Sequence, residues 1–200
     1  EMELRLVGSE MCIRDRPARW ILSRFSAASK AVNKSMTEFA FSTATTAVYA
    51  FWQYDLCDVF IEVIKPILQG TDAQAKCDVR DALYVALEGG LRLLHPFMPF
   101  VTEELWQRLP RSLVCKDVQS IMLAPFPEGN QEWDSKHLEG EMDMIMSVAK
   151  ATRSIRAQYD LLPKNKTMLS VVSDSAATAR VVAAGKSEIC TLSNSSELEI

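Results

Sequence analysis

Apolar residues recur every three to four positions along most of the chain, a period that predicts amphipathic helices. Between Pro17 and Thr37, at about 100° per residue, Ile21, Phe25, Ala28, Val32 and Met36 share one face, and Arg19, Lys30 and Lys34 share the opposite one. Pro17 stands where a first-turn proline is tolerated. A second helix begins at Ser42 or Thr43, both capping residues, and runs through Val48, Phe51, Trp52, Leu56, Phe60 and Val63 to Pro66. Its apolar arc is wide enough to face two neighbours. After a loop carrying Gly70, residues Val79, Leu83, Val85, Leu87, Leu91 and Leu94 trace a third helix. Gly89-Gly90 lies inside it at a propensity loss of about 1 kcal/mol per glycine, which points to a close helix neighbour, with a local kink as the alternative. Pro96 ends this helix by pushing His95 out of the α region, and Pro99 opens a short fourth helix over 100–109, stopped by Pro110. Phe97, Met98 and Phe100 plug the elbow, and Glu103 and Glu104 sit in early turns where the helix dipole favours anions.

Beyond the fourth helix, Val118–Met122 suggests a short strand, and Pro125-Phe126-Pro127-Glu128-Gly129-Asn130 is a turn-rich linker. A fifth helix follows over about 135–159. Residues 167–172 suggest a strand, 175–184 a helix, and 187–192 with 197–200 further strand material. The expected fold is therefore mainly α, an antiparallel helical bundle followed by a small α/β appendage. The expected divisions are a bundle over 17–115, a linker with a short strand over 116–134, and a C-terminal helix with its α/β extension over 135–200. Residues 1–16 read differently. Val7–Arg16 resembles a translated library-adapter sequence, so this leader is set aside from the fold.

Composition narrows the chemistry. No run of about 18 apolar residues is present and no signal peptide is evident, so the expectation is a cytoplasmic protein with no membrane partner. Cys12, Cys57, Cys77, Cys115 and Cys190 are odd in number and scattered, which fits reduced thiols better than disulfides or a zinc site. The net charge of −4 argues mildly against a polyanionic partner. Its distribution argues the other way. From Arg19 to Lys34 there is no acid, while Arg19, Arg24, Lys30 and Lys34 are basic; Lys150, Arg153, Arg156, Lys164 and Lys166 form a second basic stretch broken only by Asp160.

Three ordered segments carry a family resemblance: Arg19-Trp20-Ile21-Leu22-Ser23-Arg24, the run from Trp52 to Pro66, and Leu91-Arg92-Leu93-Leu94-His95-Pro96-Phe97-Met98-Pro99-Phe100-Val101-Thr102-Glu103-Glu104-Leu105-Trp106. Together they resemble the anticodon-binding helical domain of class I aminoacyl-tRNA synthetases. The wording at 97–102 and at Ala151–Tyr159 resembles the valyl branch, that at Tyr54–Pro66 and Ala151–Tyr159 resembles its eukaryotic type, and the resemblance covers residues 17–166. The isoleucyl and leucyl branches, which share this domain, remain alternatives. The resemblance implies a part of an enzyme that activates valine with ATP and magnesium and transfers it to tRNA. The nucleotide-binding fold, with its His-Ile-Gly-His and Lys-Met-Ser-Lys-Ser type signatures, and the editing domain lie outside these residues. It implies as partners a tRNA for valine and the remaining synthetase domains, and no cofactor or catalytic residue in this stretch.

Cations without competing acids can track phosphates by counterion release, and a flanking ring can stack a base. Arg19, Trp20, Arg24, Lys30 and Lys34 on the first helix, with Lys150, Arg153 and Arg156 on the fifth, are the tRNA-binding candidates. The alternatives are a solvated face with Trp20 at the edge of the core, and ion pairs with the acidic stretch over 128–143. Asp55, Asp58 and Glu62 lie on one side of the second helix, but no Glu-x-x-His accompanies them, so pairing with Lys65 or Arg92, or solvation, is the expectation. His95 and His137 belong to no nucleophile arrangement, and no glycine-rich phosphate loop or metal-ligand spacing is present. Two other classes stay open: a protein-interaction module docking through exposed aromatics, and a cofactor-binding bundle enzyme, which the missing metal motifs disfavour.

Overall fold

The computed structural model describes residues 15–110, 115, 117–162 and 164–200, so most of the leader segment 1–16 lies outside the described residues. Helix α1, Arg16–Thr37, is the central rod. It packs on α2 (Phe41–Ala50), on a π-helical segment Phe51–Phe60, and on α4 (Ala73–Leu94). The predicted inner face of α1 is inside: Ile21, Phe25 and Val32 are buried, with Ala28 and Met36 packed against the same core.

The second predicted helix is one rod wound in three registers, α2, the π-helical segment and α3 (Ile61–Gln69). The wider π winding sets Phe51, Leu56 and Phe60 toward the core together, which an unbroken α register would not. The rod does not stop at Pro66, as the sequence predicts; it runs one turn further. Pro66 forfeits one backbone bond, but Gly70 N–H closes the last turn on the Pro66 and Ile67 carbonyls at 2.9 and 3.1 Å, while Val63 and Ile64 stay buried.

The paired glycines of α4 admit neighbours. A Cβ on Gly89 would overlap the Phe25 ring, and one on Gly90 would stand 3.0 Å from Trp52 Cζ2, whose indole N–H donates to the Gly90 carbonyl at 3.3 Å. Close packing, not a kink, accounts for both. The elbow to α5 (Pro99–Arg108) corrects two expectations. His95 stays in the α region, held by its N–H on the Leu91 carbonyl at 2.9 Å and its Nδ1 against Thr102 Oγ1 at 2.7 Å. Of the three predicted plugs only Phe97 packs on the core; Met98 and Phe100 face outward, because Thr102 and Trp106, one turn apart, turn the other face of α5 inward. Beneath the elbow, buried Glu88 accepts from Trp106 Nε1 at 3.0 Å and pairs with Arg92 at 2.6 Å.

No strand forms at 118–122. The Glu103 carboxylate takes the Ile121 N–H at 3.0 Å and the Ser120 hydroxyl at 2.8 Å, and Ile121–Leu123 winds into a 3-10 turn with no strand beside it among the described residues. A second such turn, Gln131–Trp133, leads into α6, Lys136–Gln158. The appendage is β1 (Thr167–Ser170), α7 (Ala176–Ala184), α8 (Lys186–Ser193) and β2 (Ser195–Glu199), with β1 and β2 parallel and the two helices forming the crossover that parallel pairing needs. Residues 187–192, expected as a strand, are helical: Ile189 and Leu192, three apart, meet the core on one face, and β-branched propensity yields to that packing. One apolar cluster runs from the bundle through Val182, Ile189, Leu192 and Leu198 of the appendage.

Candidate nucleic-acid interface

The two basic stretches lie on α1 and α6, which run in opposite directions. Arg16 meets Glu141 at 3.9 Å near one end, and Lys30 pairs with Asp134 near the other. From the Arg16–Glu141 contact, α1 rises ~27 Å to Lys34 while α6 rises ~18 Å the other way to Arg153, at ~1.5 Å per residue. Lys34 and Arg153 therefore stand tens of ångströms apart, with Arg19 between them near the Arg16–Glu141 contact, so the cations do not form one face.

Each candidate side chain now has a definite place. Trp20 is 1% exposed, its indole Nε1 without a partner among the described residues, so it is a core residue and its ring is closed to a stacking base. Arg24 is held by Asp55 at 3.0 Å and Glu139 at 3.5 Å. Burial pushes the Asp55 carboxyl above its ordinary value, and the Arg24 guanidinium beside it offsets that only in part. An open cleft of about 220 Å³ is lined by Ala27, Ala31, Ala47 and Phe51 together with Arg24 and Asp55, whose polar groups are engaged with each other. Lys30 is bound by Asp134, which this bond and the Ser26 hydroxyl hold below the usual carboxylate range.

Arg156, expected at the surface, is 8% exposed and clamps the chain below α6, donating to Thr167 Oγ1 at 2.8 Å and the Asn165 carbonyl at 2.7 Å. Its fork is consumed by the fold. Arg19, Lys150 and Arg153 are exposed, and their side chains have no ion pair or hydrogen bond among the described residues. Lys34, 75% exposed at its side chain, pairs among the described residues with Glu38 at 4.0 Å. Lys164 and Lys166 are exposed beside the free end of α6, where Tyr159 is 73% exposed. The candidates thus divide into four that solvent can reach freely, Arg19, Lys34, Lys150 and Arg153, and four engaged in the fold, Trp20, Arg24, Lys30 and Arg156.

Two rings outside the predicted candidates stand at the surface. Phe39 and Phe41, at the turn between α1 and α2, are 78% and 51% exposed. The available signal was a helix stopping at Lys34-Ser35-Met36-Thr37-Glu38-Phe39 with no glycine, asparagine or proline to stop it. The carboxylates of the rod go to separate partners: Glu62 to Lys65 as expected, Asp58 accepting from Gln53 at 2.9 Å, and Asp55 to Arg24 where Lys65 or Arg92 was the expected cation. Among the described residues no three His, Cys, Asp or Glu side chains converge as a metal-holding group, and no helix is long and apolar enough to cross a membrane.

Comparison with known proteins adds a family. Residues 18–173 match the family of the anticodon-binding domain of tRNA ligase. A mitochondrial valine–tRNA ligase of Arabidopsis thaliana is 41% identical across 91% of this chain, which spans 17% of that protein. The valine–tRNA ligase of Mus musculus is 43% identical over 80% of the chain and 13% of its own length. A mitochondrial valine–tRNA ligase of Saccharomyces cerevisiae is 37% identical over 82% of the chain and 14% of its own length. The chain spans less than a fifth of each of these relatives.

Proposed function

The chain belongs to the anticodon-binding domain family of tRNA ligases, and from that membership we propose that it holds the anticodon stem-loop of a valine tRNA for a valine–tRNA ligase. The observation that carries the reading is the agreement of the family match over 18–173 with relatives bearing that one activity. In this role phosphate contacts position the RNA and base contacts specify it. The exposed cations Arg19, Lys34, Lys150 and Arg153 supply the first kind from separated points on α1 and α6, so the RNA lies along the bundle and not across one patch. Valine activation with ATP and magnesium belongs to the longer protein. The residues here do not fit those groups, having no glycine-rich loop and no converging metal ligands among the described residues, so no step of that reaction is assigned to them. The other partners proposed are the remaining synthetase domains. The proposed compartment is the cytosol; microscopy of the tagged full-length protein would distinguish it from the mitochondrial location in two relatives' names.

The test is a titration of the chain, over a series of salt concentrations, against valine tRNA, the same tRNA with its anticodon exchanged, and an unrelated tRNA. Tightest binding to valine tRNA is expected, with affinity falling steeply with salt and Arg153→Ala reducing the slope by about one. Equal affinity for all three would reduce the chain to a non-specific phosphate binder.

A further inference from the structure

Helix α1 ends in a Schellman motif. The Phe39 N–H donates to the Met36 carbonyl at 3.2 Å and the Ala40 N–H to the Ser35 carbonyl at 2.8 Å. Phe39 itself adopts the left-handed conformation, φ 57°, at the position where such motifs favour glycine. A bulky side chain is strained there, and such strain normally persists only where its surroundings enforce it. At Phe39 packing gives little in return, because the ring is 78% exposed. Its partner Phe41, 51% exposed, meets it edge-on with centroids 6.3 Å apart. Two apolar rings are thus set out in water at the tip of a helical hairpin by a backbone that glycine would close with less strain.

The surroundings decide what they meet. Lys34 lies about one turn back along α1, its side chain 75% exposed and 4.0 Å from the exposed Glu38 carboxylate, with Lys30, held by Asp134, another turn behind. An edge-to-face pair leaves open ring surface, and a cation near it matches a nucleotide, with base on ring and phosphate on ammonium.

We propose that Phe39 and Phe41 form a stacking platform for an unpaired RNA base, with Lys34 on the adjoining phosphate. This rests on the anticodon stem-loop reading and assigns one site within it. Stacking is insensitive to salt and tolerant of base identity, so the platform strengthens the hold on an open loop, while discrimination between bases lies with other contacts.

The test uses the whole chain and a synthetic stem-loop RNA bearing the valine anticodon, with 2-aminopurine in the loop. Phe39→Gly is expected to melt no lower than the parent, since it relieves the left-handed strain, yet to bind the stem-loop about tenfold more weakly. Its salt slope stays unchanged and the quenching of 2-aminopurine on binding is lost, whereas Phe39→Tyr and Phe39→Trp keep both affinity and quenching. Lys34→Ala lowers the salt slope instead. If the parent binds the stem-loop and both Phe39→Gly and Phe41→Ala bind it equally well with quenching intact, the platform is wrong and the anticodon role stands. If the parent binds no RNA at low salt, both fall together.

Discussion

Asp15 shows how a single half-buried carboxylate sets a pH dependence. Burial, then the like charges of Glu188 and Asp78, push it up to about 6 from 3.8. A folded value above the unfolded one means that its favourable contribution is complete below about 3.8 and is lost as pH rises through about 6. Asp15→Asn should therefore flatten the fall in stability across that window. At neutral pH it should gain ~1 kcal/mol, a figure reduced because the group is only half-buried, and denaturant melts at a series of pH values measure both. Arg156 is the opposite case, a charge whose hydrogen bonds are nearly complete. Arg156→Lys should cost ~1–3 kcal/mol, because one ammonium cannot span Thr167 and Asn165 as the guanidinium fork does. Hydrogen exchange should quicken at 167–170, while RNA binding through Arg153 is retained. The sequence placed both arginines correctly on α6, three apart. Only the fold showed that one reaches water and the other reaches the chain beneath it.

Glycines supply the sharpest predictions for whole elements. Gly89→Ala should destabilise by ~1–3 kcal/mol, since α1 and α4 approach closely enough there for the Phe25 ring to occupy the space of a methyl group. Gly140→Ala, in α6 with nothing within 4 Å of the added carbon, should stabilise by ~0.5–1 kcal/mol through helix propensity and a restricted unfolded chain. Thermal melts of the two variants should move in opposite directions. Periodicity made α1, α4, α5 and α6 legible within a residue or two of their ends, because each buries one face along its own length. It failed at 118–122 and 187–192, where short β-branched runs suit strand and helix alike and the neighbours decide. For the first, Glu103 took the Ile121 N–H and the Ser120 hydroxyl; for the second, the core required a residue every third position. It failed too at Pro66, where a proline signal is real but the buried turn around it outweighs it.

Across the whole molecule, the charge pattern is the part the chain conceals. The acid-free stretch from Arg19 to Lys34 looks like a free cationic face, yet Asp55, Asp134 and Glu139 arrive from distant segments and occupy Arg24 and Lys30. Asp134→Asn should release Lys30. Affinity for the stem-loop should then rise modestly and its salt slope steepen by up to about one, readable in the same titrations. The opposite courses of α1 and α6 carry Lys34 away from Lys150 and Arg153, a separation no linear spacing contains. Sequence by itself determined the helical class, the order of the elements and, through its motif wording, the family, because periodicity and local wording are properties of neighbours along the chain. The tertiary structure decided which cations stay free, that Trp20 is core, that Arg156 is a clamp and that Phe39 and Phe41 face water. Those outcomes depend on what packs against each side chain, and most of those partners lie tens of residues or more away in the chain.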